Sequence, residues 1–338
     1  MKTSPRIIKV LKIVGPLTLS AVLVWWLFRR VDFQRVGAVI RDDTHFMWLI
    51  AVMGIVTLSH VIRGIRWGYQ LRGAGVGNVP KMALCCSIFG AYAMNLIIPY
   101  MGEAWRIVYI AKRQKAPLST VLGTDIGDRI SDAIVVILLL ILALAVGHDY
   151  IEAFLDHYSV GRKILHIVTS PALWLSVAGV AGAGASLLYL LRDRPFATRF
   201  FLSVKRTWNG FAILFTMKGR WQYLFLTIGI WTCYYLETYI GFIAFPFTRH
   251  LMEQPGMAWG LLPGLISFVF SSMSMLIPSN GGLGPWNIAV IFGLTLFGIS
   301  AADATAFSIV LWSTVSLTLV ILGLFTVGYV SFSRRHKL

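Results

Sequence analysis

Charge is what this sequence has least of. Only 13% of its 338 residues are Asp, Glu, Lys or Arg, about half the ~25% usual in a soluble domain. By contrast 57% are hydrophobic, mean hydropathy is +0.74, and several runs exceed the ~18 apolar residues that mark a transmembrane helix. A water-soluble globular fold is excluded. Acidic residues are scarcer still, 14 against 30 Lys and Arg, for a net charge of +16. No recognition motif accompanies that excess, so nucleic acid is not the partner; the basic residues gather at the ends of apolar runs, where anionic headgroups lie. Cysteine is limited to Cys85, Cys86 and Cys233, all within apolar runs; they build no disulfide framework and have no metal spacing. No P-loop, HExxH or nucleophile elbow occurs, and the glycines at Gly73, Gly75 and Gly77 follow a membrane helix rather than a strand. A dinucleotide site therefore fails its context, and no cofactor is implied.

What is present is a series of apolar runs at roughly 7–28, 46–69, 118–147, 170–191, 221–247 and 302–330. The first resembles a signal peptide, but it is long and ends in Trp-Trp-Leu-Phe-Arg-Arg without a small-residue cleavage site, which reads as a retained anchor. Two further apolar regions are interrupted: 82–111 at Ile97–Glu103, and 258–298 at the stretch IPSNGGLGPW, Ile277–Trp286. Basic residues dominate the N-terminal segment, the loop at 192–220 and the C-terminus, whereas 148–169 and 249–257 carry little positive charge. The positive-inside rule puts the first three in the cytoplasm and the last two outside; the four arginines of 29–45 fit that scheme poorly. Both flanks of 82–111 are basic, so it should enter and return on one side. Region 258–298 should do the same from the other side, although three full crossings through 258–330 satisfy the same parity. The expected fold is an all-α polytopic membrane protein, a single domain over 1–338. It has about six full transmembrane helices, two oppositely oriented broken or re-entrant hairpins, and an amphipathic cytoplasmic helix at 195–218.

Opposed broken helices build sites near the midplane of inverted-repeat transporters. Non-helical backbone is tolerated there only beside protein or water. After Gly281 and Gly282 a new helix begins with Pro285 in its first turn, where its missing N–H costs nothing. The break reads either as an anion cradle at a helix N-terminus or as a kinked turn between spans. Asn95 and Asn280 lie at the two breaks and are positioned to line a cavity.

The run 118–147 contains TDIGDRISD, which places Asp125, Asp128, Arg129 and Asp132 on one helical face. Asp125 and Arg129 can pair at i, i+4. Three acids with one base need an outside cation, and Arg106 is the obvious one, with Arg113 further along the same face. This cluster reads as a transport path or as an ion-pair lock between helices. Glu237, alone in the middle of 221–247, is a candidate proton-coupling residue or an acid held by Tyr234, Tyr235 or Tyr239. His60, Arg63 and Arg66, at the end of 46–69, are expected to snorkel to headgroups.

Three ordered elements, NLIIPYMGEAWRIVYI (Asn95–Ile110), TDIGDRISDAIVV (Thr124–Val136) and IPSNGGLGPWNIAV (Ile277–Val290), resemble the lysylphosphatidylglycerol synthase transmembrane region, also called flippase-like integral membrane proteins. The resemblance covers about 45–330. It implies movement of anionic or lipid-phosphate substrates between leaflets, with Glu103, Arg106, Asp128, Arg129, Asp132 and the break from Gly281 to Gly284 at functional positions. Two departures stand out. Asn287 occupies a place where the family often has Glu, and Asp128-Arg129 replaces a frequent Glu-Arg. No soluble synthase domain is expected, since eight residues follow 330, so this chain alone should not transfer an aminoacyl group.

The first function is therefore non-enzymatic translocation of an anionic phospholipid or lipid-linked phosphate across a bacterial cytoplasmic membrane, with both termini inside. A membrane-embedded transferase using a lipid-linked sugar is the alternative, supported by Asp42-Asp43 in the first external loop. A scaffold partnering a separate lipid-modifying enzyme is the third.

Overall fold

A computed structural model describes residues 33–150 and 212–335, apart from 215, 276 and 278, with isolated positions between 151 and 211. The expected crossing at 7–28, most of that at 170–191 and most of the surface helix at 195–218 lie outside the described residues. Every regular element among the described residues is helical.

Short helix α1 (Phe33–Ala38) and a π-helical turn (Val39–Asp43) lead into α2 (Phe46–Gly73). Gly75, at φ 76°, reverses the chain so that the Val76 N–H reaches the Leu71 carbonyl at 2.9 Å. Pro80 then opens α3 (Lys81–Asn95), which is followed by α4 (Met101–Gln114). Pro117 opens α5 (Leu118–Val146). The second part comprises α6 (Arg220–Ile243), α7 (Pro246–Met252), a 3-10 turn (Pro255–Gly260), α8 (Leu261–Ser274), α9 (Pro285–Thr295) and α10 (Ala301–Arg335). Four stretches have the length and hydropathy of a membrane crossing: Phe46–Gly73, Leu118–Val146, Pro255–Ser274 and Ala301–Ser333. Their outer faces, such as Ile134, Ile137, Leu138 and Ile141 on α5 and Leu317, Ile321, Leu324 and Phe325 on α10, are exposed. A belt of that kind needs hydrocarbon around it. The chain is a polytopic α-helical membrane protein.

The third of those stretches is not one helix. Its backbone leaves helical geometry at Met257, Ala258 and Trp259, and α8 proper has 14 residues. With 15 residues in α3, 14 in α4 and 11 in α9, these four arms are only about 17–22 Å long at ~1.5 Å per residue. None covers the ~30 Å of a hydrocarbon core, which removes the alternative of three full crossings through 258–330. The contacts give each hairpin its direction. Helices α2 and α6 run antiparallel, with His45 N–H on the Ala244 carbonyl at one end and Tyr69 against Gly219 at the other. The second of these ends also holds Arg72, Lys81, Lys112, Arg113, Lys115, Lys218 and Arg220, and Arg113 bonds Ser333 of α10 there. The α3–α4 hairpin starts and finishes at this basic end. The α8–α9 hairpin starts and finishes at the opposite end, where Asp303 of α10 pairs with Arg35 at 2.7 Å. That pair accounts for one of the arginines that fit the topology poorly.

The chain order long helix, broken hairpin, long helix occurs twice, as α2, α3–α4, α5 and as α6, α8–α9, α10. Accordingly α2 packs on α6, α3 on α10 and α5 on α8, as two related halves would. Two apolar cores result. One gathers Leu49, Val52 and Val56 of α2 with Ala143, Phe242, Ile266, Leu294 and Phe307. The other gathers Trp67 and Leu71 of α2 with Ile88, Ile107, Ile110 and Val121. On α2 and α5 alike, the buried residues between these cores are polar or glycine, among them Ser59, His60, Arg63, Gly64 and Arg66 on the one and Thr124, Asp125, Gly127 and Asp128 on the other.

Candidate functional site

Between the cores lies a layer of buried charge. From α5, Asp128 is fully buried and accepts a hydrogen bond from Arg66 Nη2 at 2.6 Å, while Arg63 Nη1 lies 3.5 Å from its other oxygen. Asp132 receives the same two arginines, Arg63 at 2.7 Å and Arg66 at 2.9 Å. Helix α6 supplies the neutral partners: Tyr234 OH accepts from Arg63 Nε at 3.1 Å and Thr227 from Arg66 Nη1 at 3.2 Å. Tyr223 donates to Asp128 at 3.4 Å and offers its ring to Arg66, whose guanidinium lies 5.1 Å from the centroid.

Arginines 63 and 66 therefore do not snorkel. They are 2% and 0% exposed, because an acidic face on α5 offers them fixed partners without leaving the protein. The signal was present in the sequence: Ser59, Arg63, Arg66 and Gln70 recur at helical spacing, the same pattern that marks the acidic face of α5. His60 faces elsewhere, its ring edge-on to Tyr92 at 4.4 Å and its Nδ1 2.8 Å from the Val56 carbonyl.

The local pair Asp125–Arg129 does not form either. Asp125 is held by Arg106, whose Nε donates at 2.6 Å, and Arg129 turns to Glu103 at 2.5 Å. Helix α4 lies against this face of α5 and competes with the i, i+4 geometry from both sides. Arg106 is fully buried, with its guanidinium 4.6 Å from the Trp67 ring. Arg113 is not part of the cluster; it bonds Ser333 at 3.1 Å. Four arginines thus face four carboxylates, Asp125, Asp128, Asp132 and Glu103: the outside cation that the three acids require is Arg106 on Asp125, joined by Arg63 and Arg66 on Asp128 and Asp132.

The first break is pinned by one side chain. Asn95 Oδ1 accepts the Gly102 N–H at 2.8 Å, capping α4, and Nδ2 donates to both Glu103 oxygens at 3.0 and 3.1 Å. Tyr100, at φ 62°, makes the reversal, a left-handed conformation uncommon for a residue with a Cβ. The second break lies directly against the first. The Gly281 N–H donates to the Asn95 carbonyl at 3.0 Å, and Asn280 Nδ2 to the Ile97 carbonyl at 3.2 Å. Trp312 of α10 donates to the Gly281 carbonyl at 2.9 Å. Gly281, Gly282 and Gly284 have φ of 57°, 83° and 93°, values open to glycine at little cost. The Gly284 N–H is taken by Asn287 Oδ1 at 3.1 Å, and Asn287 Nδ2 donates to the Ser308 carbonyl at 3.1 Å. Asn287 is thus a buried, neutral cap on α9.

Glu237 stands apart on α6. Ser59 faces it, and its Oε1 is buried without a hydrogen-bond partner among the described residues. Asp42 and Asp43 end the π-helical turn, and their side chains lie outside the described residues. No group of three His, Cys, Asp or Glu side chains able to hold a metal occurs among the described residues.

A curated relative, a UPF0104 membrane protein of Pyrococcus horikoshii, is 30% identical over 203 residues, 58% of this chain and 58% of that one. The chain therefore spans little more than half the length of that relative. No solved structure shows a significant match. The pattern described as Lysylphosphatidylglycerol synthase TM region matches residues 13–323, which takes in both hairpins, the charged layer and α10 as far as Gly323. By that match the chain belongs to the lysylphosphatidylglycerol synthase TM region family.

Proposed function

We propose that this chain moves an anionic phospholipid or lipid-linked phosphate between membrane leaflets without covalent chemistry. One observation carries the reading. In the charged layer Arg63, Arg66 and Arg106 have side chains 0–3% exposed, whereas Arg129 is 40% exposed, and it sits beside the junction of the two hairpin tips. A guanidinium fork suits a phosphate as well as a carboxylate. A headgroup phosphate takes Arg129 from Glu103, which stays hydrogen-bonded to Asn95. The acyl chains remain in lipid. The hairpin tips are joined by two hydrogen bonds, Gly281 to Asn95 and Asn280 to Ile97, each worth about 0.5–1.5 kcal/mol. A barrier of that size allows one hairpin to rock against the other and change the side from which Arg129 is reached. The positive-inside rule puts the basic end, and with it the C-terminus of α10, on the cytoplasmic side of a cytoplasmic membrane. Asn280, Gly281, Gly282 and Gly284 act in this scheme as the moving contact, while Asp128, Asp132 and Arg106 form its fixed wall.

The test is lipid movement in proteoliposomes holding fluorescent phosphatidylglycerol or a short polyprenyl phosphate, reduced from outside by dithionite. Wild type should lose the protected inner-leaflet signal, and Arg129→Ala should slow that loss by at least about tenfold, the scale of one charge-assisted hydrogen bond. A folded wild type that moves neither lipid sinks the proposal and favours a scaffold for a separate lipid-modifying enzyme. An Arg129→Ala variant at full speed removes Arg129 from the path.

Proton coupling through Glu237 belongs to the same proposal. Wild-type transport should then depend on pH and Glu237→Gln transport should not. A variant that keeps the wild-type pH profile rejects the coupling role.

A further inference from the structure

Outside the charged layer, the seam between α2 and α6 opens into a groove of about 400 Å³ lined by Ile65, Tyr69, Trp221, Gln222, Phe225 and Leu226. That is within the ~300–1,000 Å³ of small-ligand sites. We infer that this groove holds one anionic phospholipid from the leaflet at the basic end, as a bound lipid rather than as cargo. The inference does not rest on translocation.

The groove is graded along its length. Ile65, Phe225 and Leu226 give an apolar floor, and Phe225 is 75% exposed. Toward the helix ends stand Tyr69 and Trp221, an aromatic pair of the kind that seats at headgroup level. Exposed Arg72, Lys218 and Arg220 lie at the rim, brought there because Gly219 packs directly on the Tyr69 ring. No Asp or Glu occurs from 44 to 102 or from 194 to 236, the stretches that supply both walls. The rim supplied by these two stretches therefore carries positive charge without a carboxylate, which favours a phosphate over an ammonium.

A choline headgroup has another possible seat, the face of an aromatic ring. Here the two rings at headgroup level, Tyr69 and Trp221, each already carry a guanidinium, and Phe225 lies deeper on the apolar floor. The Arg72 guanidinium lies 4.5 Å from the Tyr69 centroid and that of Arg220 lies 5.8 Å from the Trp221 centroid. Charge and ring occupancy select the same class, a net-anionic headgroup. On the inner side of this wall, between Trp221 and Phe225, Tyr223 reaches Asp128 and Arg66. A lipid in the groove holds α2 against α6 at the point where that contact is made.

Thermal unfolding of the detergent-purified chain, titrated with short-chain phosphatidylglycerol, phosphatidylcholine or inorganic phosphate, tests the site. Phosphatidylglycerol should raise Tm and the other two should not. In Arg72→Gln/Lys218→Gln/Arg220→Gln the half-saturating concentration should rise at least about tenfold, since each surface basic residue contributes appreciably to anionic-lipid binding. Phe225→Ala should weaken the same response. Lys218→Gln alone, at an exposed position, gives the comparison if the triple variant does not purify; its half-saturation should rise at least about threefold. Equal stabilisation by phosphatidylcholine, stabilisation by phosphate alone, or a wild-type response from the variants overturns the inference.

Discussion

Asp128→Ala is expected to destabilise the protein by about 3–5 kcal/mol, the cost of leaving a buried charge without its partner. The carboxylate is fully buried and meets Arg66 at 2.6 Å, Arg63 at 3.5 Å and Tyr223 at 3.4 Å, with Arg106 3.8 Å away. Once it is gone, four arginines face three carboxylates and Arg66 shares Asp132 with Arg63. The double variant Arg66→Met/Asp128→Leu removes both charges and keeps most of the volume, so much of the loss should return. Heat-induced loss of the monodisperse peak in detergent measures both. If the double variant is no more stable than Asp128→Ala, the pair is not the unit that matters, and the remaining arginines with Thr227 and Tyr223 carry the layer.

How far the sequence could be read follows from what each signal measures. Apolar length marks crossings and Pro-Gly clusters mark breaks, so α2, α5, α10 and both hairpins were accessible. Helical spacing shows which face a residue occupies, and it collected Asp125, Asp128, Arg129 and Asp132 correctly. Spacing does not show what stands opposite. Arg63 and Arg66 lie some 65 residues before their partners, and an arginine near the end of an apolar run has the same local sequence whether it snorkels or is buried. The pair Asp125–Arg129 failed for the same reason, since the i, i+4 rule counts only one helix and α4 supplied a better partner on each side.

Asn287 shows a different limit. The departure from the family's frequent Glu is visible in the sequence, but its consequence depends on the Ser308 carbonyl, which accepts a hydrogen bond that an ionised carboxylate cannot donate. In this chain the second break is held by neutral groups, and the paired charge of the buried layer lies on the side of the first. The two halves repeat the same order of helices, yet among the described residues the arginine–carboxylate pairs of the buried layer come from the first, while the second contributes Thr227, Tyr223 and Tyr234, with Glu237 apart.

Gly102→Ala is the second large effect, and its sign separates close packing from helix propensity. Within a helix, replacing Gly by Ala ordinarily stabilises by about 0.5–1 kcal/mol. At Gly102 the added Cβ would overlap the carbonyl of Ala91 on the facing arm, backbone that cannot rotate aside. Relief requires α4 to move away from α3, which pulls the Gly102 N–H off Asn95 and Glu103 off Asn95 and Arg129. Overpacking costs ~1–3 kcal/mol and the lost hydrogen bonds add to it, so about 3 kcal/mol is expected, together with loss of lipid movement. Gly90→Ala is the control on the same hairpin. Its Cβ would meet the far edge of the Trp105 ring and a Thr326 methyl, side-chain atoms that can yield, so the cost should stay below about 1.5 kcal/mol. Thermal melts of the two variants in detergent decide the matter. A Gly102→Ala protein at or above wild-type stability would mean that α3 and α4 stand further apart than described, and that Asn95 does not hold Glu103 against Arg129.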